Sequence, residues 1–249
     1  MRIIFTDHYE SMSEEAAKII AAQLWLKPDS VLGLATGGTP VVLYQKLIHL
    51  YETVGLDFSQ ATSFNLDEYV GLSPNDEQSY HRFMHENLFD HVNIRNERIF
   101  FPDGLADDAA AEGMRYEKAI EAAGGIDLQL LGIGRNAHIG FNEPADCFAR
   151  TTHKVALKGN TIAANARFFA SEKDVPREAM SMGIGTIFQA RHILLLASGA
   201  EKAQAVKDTW EGTITPAVPA SILQLHPHVT LIVDREAGSL LTAKGKELA

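Results

Sequence analysis

Residues 126–144 read Ile-Asp-Leu-Gln-Leu-Leu-Gly-Ile-Gly-Arg-Asn-Ala-His-Ile-Gly-Phe-Asn-Glu-Pro, and this stretch decides the fold. Its first part, Ile126–Ile133, is a nearly continuous apolar run, as expected for a strand covered on both faces of a parallel sheet. Its second part is a polar loop with an amide, an imidazole and a carboxylate at Asn136, His138 and Glu143. Because histidine accepts and releases a proton near neutral pH, the loop is a candidate site for chemistry.

Strand and helix patterns alternate on both sides of this stretch. The predicted strands are Arg2–Phe5, Val31–Ala35, Ala61–Leu66, Ile126–Ile133, His192–Ala197 and Val229–Val233. The predicted helices cover 13–26 with Ser13 as N-cap, 39–51 with Thr39 as N-cap and Pro40 in the first turn, 79–89, 107–122, 201–210 and 219–225. The alternation predicts an α/β fold of the Rossmann-like type, an open and mostly parallel sheet with helices on both faces, in one domain spanning 1–249.

Residues 145–190 break this alternation, because they are polar, weakly periodic and poor in strand signals. Such a stretch within a compact domain is often an excursion over a site, and we expect a lid at about residues 157–182 over the carboxyl ends of the strands. An ordinary pair of surface helices is the alternative.

Composition excludes several classes of protein. The chain has 249 residues and a net charge of −10, whereas a nucleic-acid binder normally carries a basic face. Cys147 is the one cysteine, which fits a reducing, cytoplasmic location. The amino terminus reads as a strand without a signal peptide, and no apolar run approaches the ~18 residues of a membrane span.

Four polar segments each follow a predicted strand. They are Thr36–Thr39, Asp67–Tyr69, Asn136–Glu143 and Ser198–Lys202. Ligands of open α/β sheets bind outside the carboxyl ends of the strands, so all four are predicted to lie at one edge. Their coincidence at that edge is stronger evidence for a site than any one of them.

Two of these segments suit an anionic ligand. Gly37 and Gly38 let the backbone approach a phosphate, and Thr39 stands at a helix N-terminus, although a simple tight turn with an N-cap is equally compatible. Lys202, in the first turn of another helix, has the wrong charge for the helix dipole and therefore suits a bound anion, whereas a solvated surface lysine is the alternative.

Three further patterns concern a carboxylate, a glycine-containing run and the histidines. Asp67, at a strand end, is predicted to act in catalysis, and a solvated acidic pair with Glu68 is the alternative. Residues 132–137 match a dinucleotide fingerprint only formally, because a loop follows instead of a helix. The histidines form no matched ligand set, so no metal site and no cofactor are predicted.

The quoted motifs resemble the glucosamine-6-phosphate deaminase family, in order and over nearly the whole chain. They are Leu34–Pro40, Phe64–Tyr69, His138–Pro144, Asn165–Phe169 and Leu223–Pro227. The wider family includes 6-phosphogluconolactonases, which lack the Phe-Asn-Glu-Pro stretch. The resemblance implies reversible conversion of glucosamine 6-phosphate and water to fructose 6-phosphate and ammonia, without a cofactor.

The resemblance also implies roles for individual residues. His138 opens the sugar ring, Glu143 and Asn136 position and tune it, and Asp67 moves a proton from C2 to C1. Longer members carry Asp at the position of Asn136, and Gly at that of Ala137. Since Asn cannot titrate, it is expected to hold the imidazole by hydrogen bonding. The family's phosphate-binding positions correspond to Gly37, Gly38, Thr39, Arg167 and Lys202.

Regulation is expected to be absent. Longer members are activated by N-acetylglucosamine 6-phosphate at a subunit interface, through Arg and Lys at the positions of His153 and Val155. These replacements predict hyperbolic kinetics in a monomer or small homo-oligomer. A lactonase using the same phosphate face, and a non-enzymatic sugar-phosphate sensor, are the alternative functions.

Overall fold

The computed structural model describes residues 1–166, 169 and 171–242. Its strands are β1 (Arg2–Thr6), β2 (Val31–Leu34), β3 (Thr62–Asn65), β4 (Asp67–Tyr69), β5 (Ile99–Phe100), β6 (Leu128–Gly132), β7 (His153–Ala156), β8 (Glu178–Ser181), β9 (His192–Ala197) and β10 (Val229–Asp234). Its helices are α1 (Tyr9–Leu26), α2 (Val41–Val54), α3 (Tyr80–Asn87), α4 (Ala109–Ala122), α5 (Gly159–Asn165), α6 (Ile184–Phe188) and α7 (Ala203–Glu211). No helix among these residues is long and apolar enough to cross a membrane.

The larger sheet is parallel and has the order β1-β10-β9-β6-β2-β3-β5. The chain builds outward from β2 to β5 and then returns to the other side of β2 with β6. Ligand crevices of open α/β sheets form where the strand order reverses in this way. The topology therefore places the loops after β2 and β6 on either side of one crevice.

The centre of the larger sheet is apolar. The buried side chains of its middle strands include Leu32, Leu34, Leu130, Leu131, Leu194, Leu195, Leu196, Ile232 and Val233. Continuous burial of this kind requires helices against both faces, and the flanking helices fulfil that requirement. The prediction of a Rossmann-like α/β fold is confirmed.

A second, antiparallel sheet of order β4-β8-β7 was not predicted. The expectation of few strands in residues 145–190 is therefore wrong for β7 and β8, and the alternative of a surface helix pair is wrong as well. Strand β7 alternates between half-buried and exposed positions, and β8 reads Glu-Ala-Met-Ser, which carries no strand signal. Pairing with β4 makes β8 a strand, since β-propensity depends strongly on tertiary context.

The predicted N-cap of the first helix was also wrong. Helix α1 begins at Tyr9 because His8 and Ser11 form a reciprocal capping box. Ser13 is buried within the helix, where its hydroxyl donates to the Tyr9 carbonyl at 2.9 Å. A hydroxyl inside a helix often makes this backbone bond, so Ser13 is not a helix boundary.

Helix α2 also begins later than expected. Pro40 is its N-cap residue in place of Thr39, and this residue supplies no side-chain hydrogen bond to the helix. The first turn therefore lacks the N-cap acceptor that usually satisfies one of its free N–H groups. The other predicted elements of the larger sheet agree with the structure to within about two residues.

The amino edge of the sheet is held by an ion-pair cluster around Asp127. This buried carboxylate accepts hydrogen bonds from Lys27 Nζ at 2.5 Å, Arg191 Nη1 at 2.9 Å and the Val31 N–H at 2.8 Å. Burial by itself raises the pKa of Asp127, but Lys27 and the other donors outweigh it and hold the pKa below its ordinary value. The cluster ties the starts of β2 and β6 to the end of α1 and to the segment between α6 and β9.

Asp127→Asn is expected to lower the free energy of unfolding by about 1–2 kcal/mol near neutral pH, a moderate figure because both basic partners are partly exposed. A depressed pKa contributes stability above the unfolded value of about 3.9 and loses it as the pH falls. Urea unfolding of both proteins should therefore give a difference that shrinks in acid. A difference independent of pH would contradict the ionic contribution.

Candidate active site

A cleft of about 910 Å³ opens at the carboxyl edge of the larger sheet. It is bordered by the loops that follow β2, β3, β6 and β9, as the sequence predicts. The predicted site residues that line it are Gly37, Gly38, Thr39, Asp67, Asn136, His138 and Lys202. Segments far apart in sequence thus converge on one cavity.

The loop between β2 and α2 forms one end of the cleft. Gly37 has φ of +91°, a conformation that L side chains rarely adopt, so glycine is needed there. Because α2 has no side-chain cap, its first turn and dipole favour an anion at this end. Thr39 is not the N-cap that the sequence predicts, but it lines the cavity.

Lys202 approaches the same cleft from the loop after β9. It ends a short 3-10 turn before α7 and lies half-buried in the wall of the cleft. Asp234, at the end of β10, fixes this loop by accepting from Ser198 Oγ at 2.5 Å and from the Gly199 N–H at 3.1 Å. The neighbouring strand therefore positions the turn that carries the cation.

Asp67 lies where the chain leaves the larger sheet and enters the smaller one. Its side chain is only 6% exposed, and the remaining exposure faces the cleft. Burial, and then the charge of Glu68, raise the pKa of Asp67 to about 8. A carboxyl group with such a pKa exchanges its proton in the neutral to mildly basic range, which suits a general base.

Glu68 points away from the cleft, as alternation along a strand requires. Its carboxylate accepts hydrogen bonds from the backbone N–H groups of Tyr69 at 2.8 Å, Tyr80 at 2.9 Å and His81 at 2.8 Å. It thus joins β4 to the N-terminus of α3. The alternative of a solvated acidic pair is wrong, because Asp67 and Glu68 are both buried.

The loop after β6 brings His138 against Glu143. His138 Nδ1 lies 3.5 Å from Glu143 Oε1, an ion-pair distance rather than a well-formed hydrogen bond. A Cβ on Gly134 would lie 2.4–2.5 Å from the imidazole ring, so the ring packs directly on that glycine. The glycine before the loop is therefore needed to seat the histidine.

Asn136 supports Glu143 rather than the imidazole ring. Its Nδ2 donates to Glu143 Oε2 at 2.5 Å, and its Oδ1 accepts from the backbone N–H of His138 at 3.4 Å. The expectation that it holds the ring itself is thus wrong. An Asn is suited to this place because its amide can donate to a carboxylate, whereas an ionised Asp cannot.

Thr161, at the start of α5, makes a short hydrogen bond to the other oxygen of Glu143. Burial by itself raises the pKa of Glu143, but His138, Thr161 and Asn136 outweigh it and hold the pKa at about 2. Glu143 therefore stays ionised and places a fixed negative charge beside His138.

Sequence reasoning missed several residues that line the cleft, among them Tyr9, Tyr80 and Thr161. Tyr80 stacks on Phe141 at a centroid distance of 6.2 Å, and its hydroxyl donates to the Tyr69 hydroxyl at 3.2 Å. Tyr9 follows β1 at the carboxyl edge of the sheet. A correct prediction of the start of α1 would therefore have indicated it. No signal in the sequence indicates Tyr80 or Thr161.

Arg167 lies outside the described residues. Among the described residues there is no group of three or more His, Cys, Asp or Glu side chains arranged to hold a metal ion.

The sheet and its cleft define an α/β protein of the Rossmann-like class, with a small-molecule site at the carboxyl ends of the strands. A family model described as glucosamine-6-phosphate isomerases/6-phosphogluconolactonase matches residues 6–232, and the chain belongs to this family.

Relatives within the family are close. A glucosamine-6-phosphate deaminase of Clostridioides difficile is 57% identical over 248 residues, covering 100% of both chains. A solved structure described as a monomeric glucosamine-6-phosphate deaminase is 50% identical, with a TM-score of 0.94, and covers 97% of this chain and 100% of that one. A 6-phosphogluconolactonase from Trypanosoma cruzi, 22% identical with a TM-score of 0.75 over 97% of each chain, shares the fold alone.

Proposed function

We propose that the cleft converts glucosamine 6-phosphate and water into fructose 6-phosphate and ammonia, without a metal or cofactor. The observation that carries this proposal is that buried Asp67 and His138, with Glu143 beside the imidazole, line one cavity with a loop suited to phosphate. The closeness of the deaminase relatives supports it. The enzyme would act in amino-sugar catabolism in the cytoplasm.

The first step is ring opening, which we assign to His138. Glu143 faces Nδ1, so Nε2 is the nitrogen that can exchange a proton with the sugar. It takes the proton of the C1 hydroxyl as the bond between C1 and the ring oxygen breaks, and it delivers a proton to that oxygen. The permanent negative charge of Glu143 stabilises the imidazolium formed in between.

The second step is proton transfer by Asp67. Its ionised carboxylate removes the proton from C2 of the open-chain aldehyde, while the aldehyde oxygen gains a proton from the substrate's own ammonium group, which gives an enolamine. Asp67 then returns its proton to C1. The product carries an imine at C2, and water hydrolyses that imine to a ketone with release of ammonia. A carboxylate can serve both carbons from one face of the planar intermediate.

The phosphate is assigned to the loop at residues 37–39, to Lys202 and, from the sequence, to Arg167. The uncapped start of α2 supplies backbone N–H groups, and the basic side chains add charge-assisted hydrogen bonds. Local cations therefore serve an anionic substrate in a chain whose net charge is −10.

The test is a paired assay of ammonia and fructose 6-phosphate. Equal amounts of both products from glucosamine 6-phosphate, with no hydrolysis of 6-phosphogluconolactone, are expected. Lactone hydrolysis without ammonia would favour the lactonase, which needs no C2 base and leaves buried Asp67 without a role. Binding of the sugar phosphate without turnover would favour the sensor.

The pH dependence follows from Asp67. Because the base must be ionised, kcat/KM is expected to rise with pH and to level off above about 8, the pKa of Asp67. Glu68→Gln removes the negative charge beside Asp67, so kcat/KM of this variant should rise at a lower pH than kcat/KM of the wild type. The difference is partial, because burial still raises the pKa of Asp67. The substrate amine titrates identically in both proteins, and identical midpoints would therefore contradict the assignment.

We also propose a lid over the cleft and the absence of allosteric regulation. Thr161 and Ala163 of α5 line the cleft, which supports a lid at about residues 157–182. His153 and Val155 lie on β7, where longer members carry Arg and Lys, and neither replacement supplies a permanent cation.

N-acetylglucosamine 6-phosphate is accordingly expected to leave kcat and KM unchanged, in a monomer or small homo-oligomer. An effector shifts an equilibrium only through differential binding. Initial rates over a range of substrate concentrations, with and without the acetylated sugar, should give superimposable hyperbolas. A sigmoidal curve that becomes hyperbolic on its addition would refute this proposal.

A further inference from the structure

Tyr9 reaches the phosphate end of the cleft from a separate part of the chain. It is the first residue of α1, just beyond the carboxyl end of β1. Its side chain is half-buried and forms part of the cavity wall beside Gly37, Gly38 and Thr39. A residue of the first helix is thus in contact with the loop that precedes the second.

The Tyr9 hydroxyl makes hydrogen bonds to the backbone of that loop. It is placed to donate to the Gly38 carbonyl at 2.8 Å and to the Thr39 carbonyl at 2.9 Å. Its oxygen also faces the Val42 N–H at 3.4 Å, a long acceptor contact in the first turn of α2. One phenol therefore ties the loop to the start of the helix.

These bonds fix the direction of a peptide group. The described peptide bonds are trans, so the C=O and N–H of each peptide point in opposite directions. With the Gly38 carbonyl turned toward Tyr9, the N–H of Thr39 points away from Tyr9. The next peptide supplies no N–H, since its nitrogen belongs to Pro40.

The loop needs such a tether. Gly37 and Gly38 restrict the backbone less than any other residues, and Gly37 already occupies a left-handed conformation. A flexible loop would lose entropy on closing around an anion, whereas a loop held in place does not. Preorganisation by a side chain outside the loop therefore strengthens binding.

We propose that Tyr9 is a positioning residue for phosphate recognition, because its hydroxyl holds the Gly38–Thr39 peptide so that the Thr39 N–H faces the substrate's phosphate. This inference rests on the proposed function, which assigns the phosphate to this loop. Tyr9 acts on the loop and takes no part in the proton transfers.

Tyr9→Phe removes one oxygen atom and leaves the ring in place. A misoriented donor loses part of the contribution that a hydrogen bond to a charged group makes, so roughly a 5- to 20-fold rise is expected in two constants. These are the KM for the phosphorylated sugar and the inhibition constant of inorganic phosphate. The value of kcat should change less than about two-fold, because the proton-transfer groups are untouched.

Tyr51→Phe is the matched control, because it makes the same change on α2 away from the cleft. Thermal unfolding with and without inorganic phosphate gives an independent readout, and the phosphate-induced rise in Tm should shrink in Tyr9→Phe alone. If Tyr9→Phe does not fold, Tyr9→Met, which keeps apolar volume without the hydroxyl, decides the question.

Unchanged phosphate affinity in a folded variant overturns the inference, and so does a loss of kcat at constant phosphate affinity, which indicates a general structural role. The proposed function is judged separately by ammonia release from the unmodified enzyme. Phosphate binding by the unmodified protein and by Tyr9→Phe can be compared whatever the result of the ammonia assay.

Discussion

Replacing Asp67 with Asn is expected to abolish turnover while leaving the affinity for glucosamine 6-phosphate nearly unchanged. The amide has the shape of the carboxylate but cannot take the C2 proton, and losing a general base typically costs ~10²–10⁴-fold in rate. The measurement is kcat together with exchange of the C2 hydrogen in deuterium oxide. Exchange at the wild-type rate would remove Asp67 from the proton-transfer step.

Stability supplies the control for this variant. The pKa of Asp67 is raised on folding to about 8, so the wild-type protein binds this proton more tightly when folded and loses stability as the pH rises toward 8. Asp67→Asn has no such group and should unfold at a higher Tm than wild type in mildly basic buffer. An inactive variant that is also more stable cannot be inactive through misfolding.

Lys202→Ala is expected to raise the KM for glucosamine 6-phosphate by about 10- to 100-fold, because a charge-assisted hydrogen bond contributes roughly 1.5–3 kcal/mol. Unphosphorylated glucosamine, tested as a weak inhibitor, should bind equally well to both proteins. Arg167→Ala is expected from the sequence to behave in the same way.

Lys207→Ala provides the comparison for Lys202, since Lys207 lies on α7 but does not line the cleft. Its KM should stay within about two-fold of wild type, as is usual for surface substitutions away from a site. Equal losses for glucosamine and its phosphate in Lys202→Ala would mean that the lysine does not contact the phosphate.

Features with a local cause were predictable from the sequence. Strand β6 could be predicted because the run Leu128–Gly132 is nearly continuously apolar, and β9 because His192–Ala197 is equally regular. The carboxyl ends of parallel strands meet at one edge, so the rule that ligands bind there placed Asp67, His138 and Lys202 together without any coordinates.

Features with a distant cause were not predictable. Strand β8 exists because it pairs with β4, and nothing within residues 178–181 specifies that partner. The burial of Glu68 depends on the start of α3, and the contact of Tyr9 depends on a loop in another part of the chain. Composition and periodicity describe neighbours in sequence, whereas these contacts join neighbours in space.

The Asp127 cluster has a practical consequence. It lies at the amino edge of the sheet, opposite the mouth of the cleft, and none of its members is among the described residues that line the cavity. A solid support, an affinity label or a fused protein attached at that edge would leave the mouth open to the reactants. The same attachment beside the loop at residues 36–40 or on α5 would obstruct their entry, so immobilised preparations should be anchored through the amino edge.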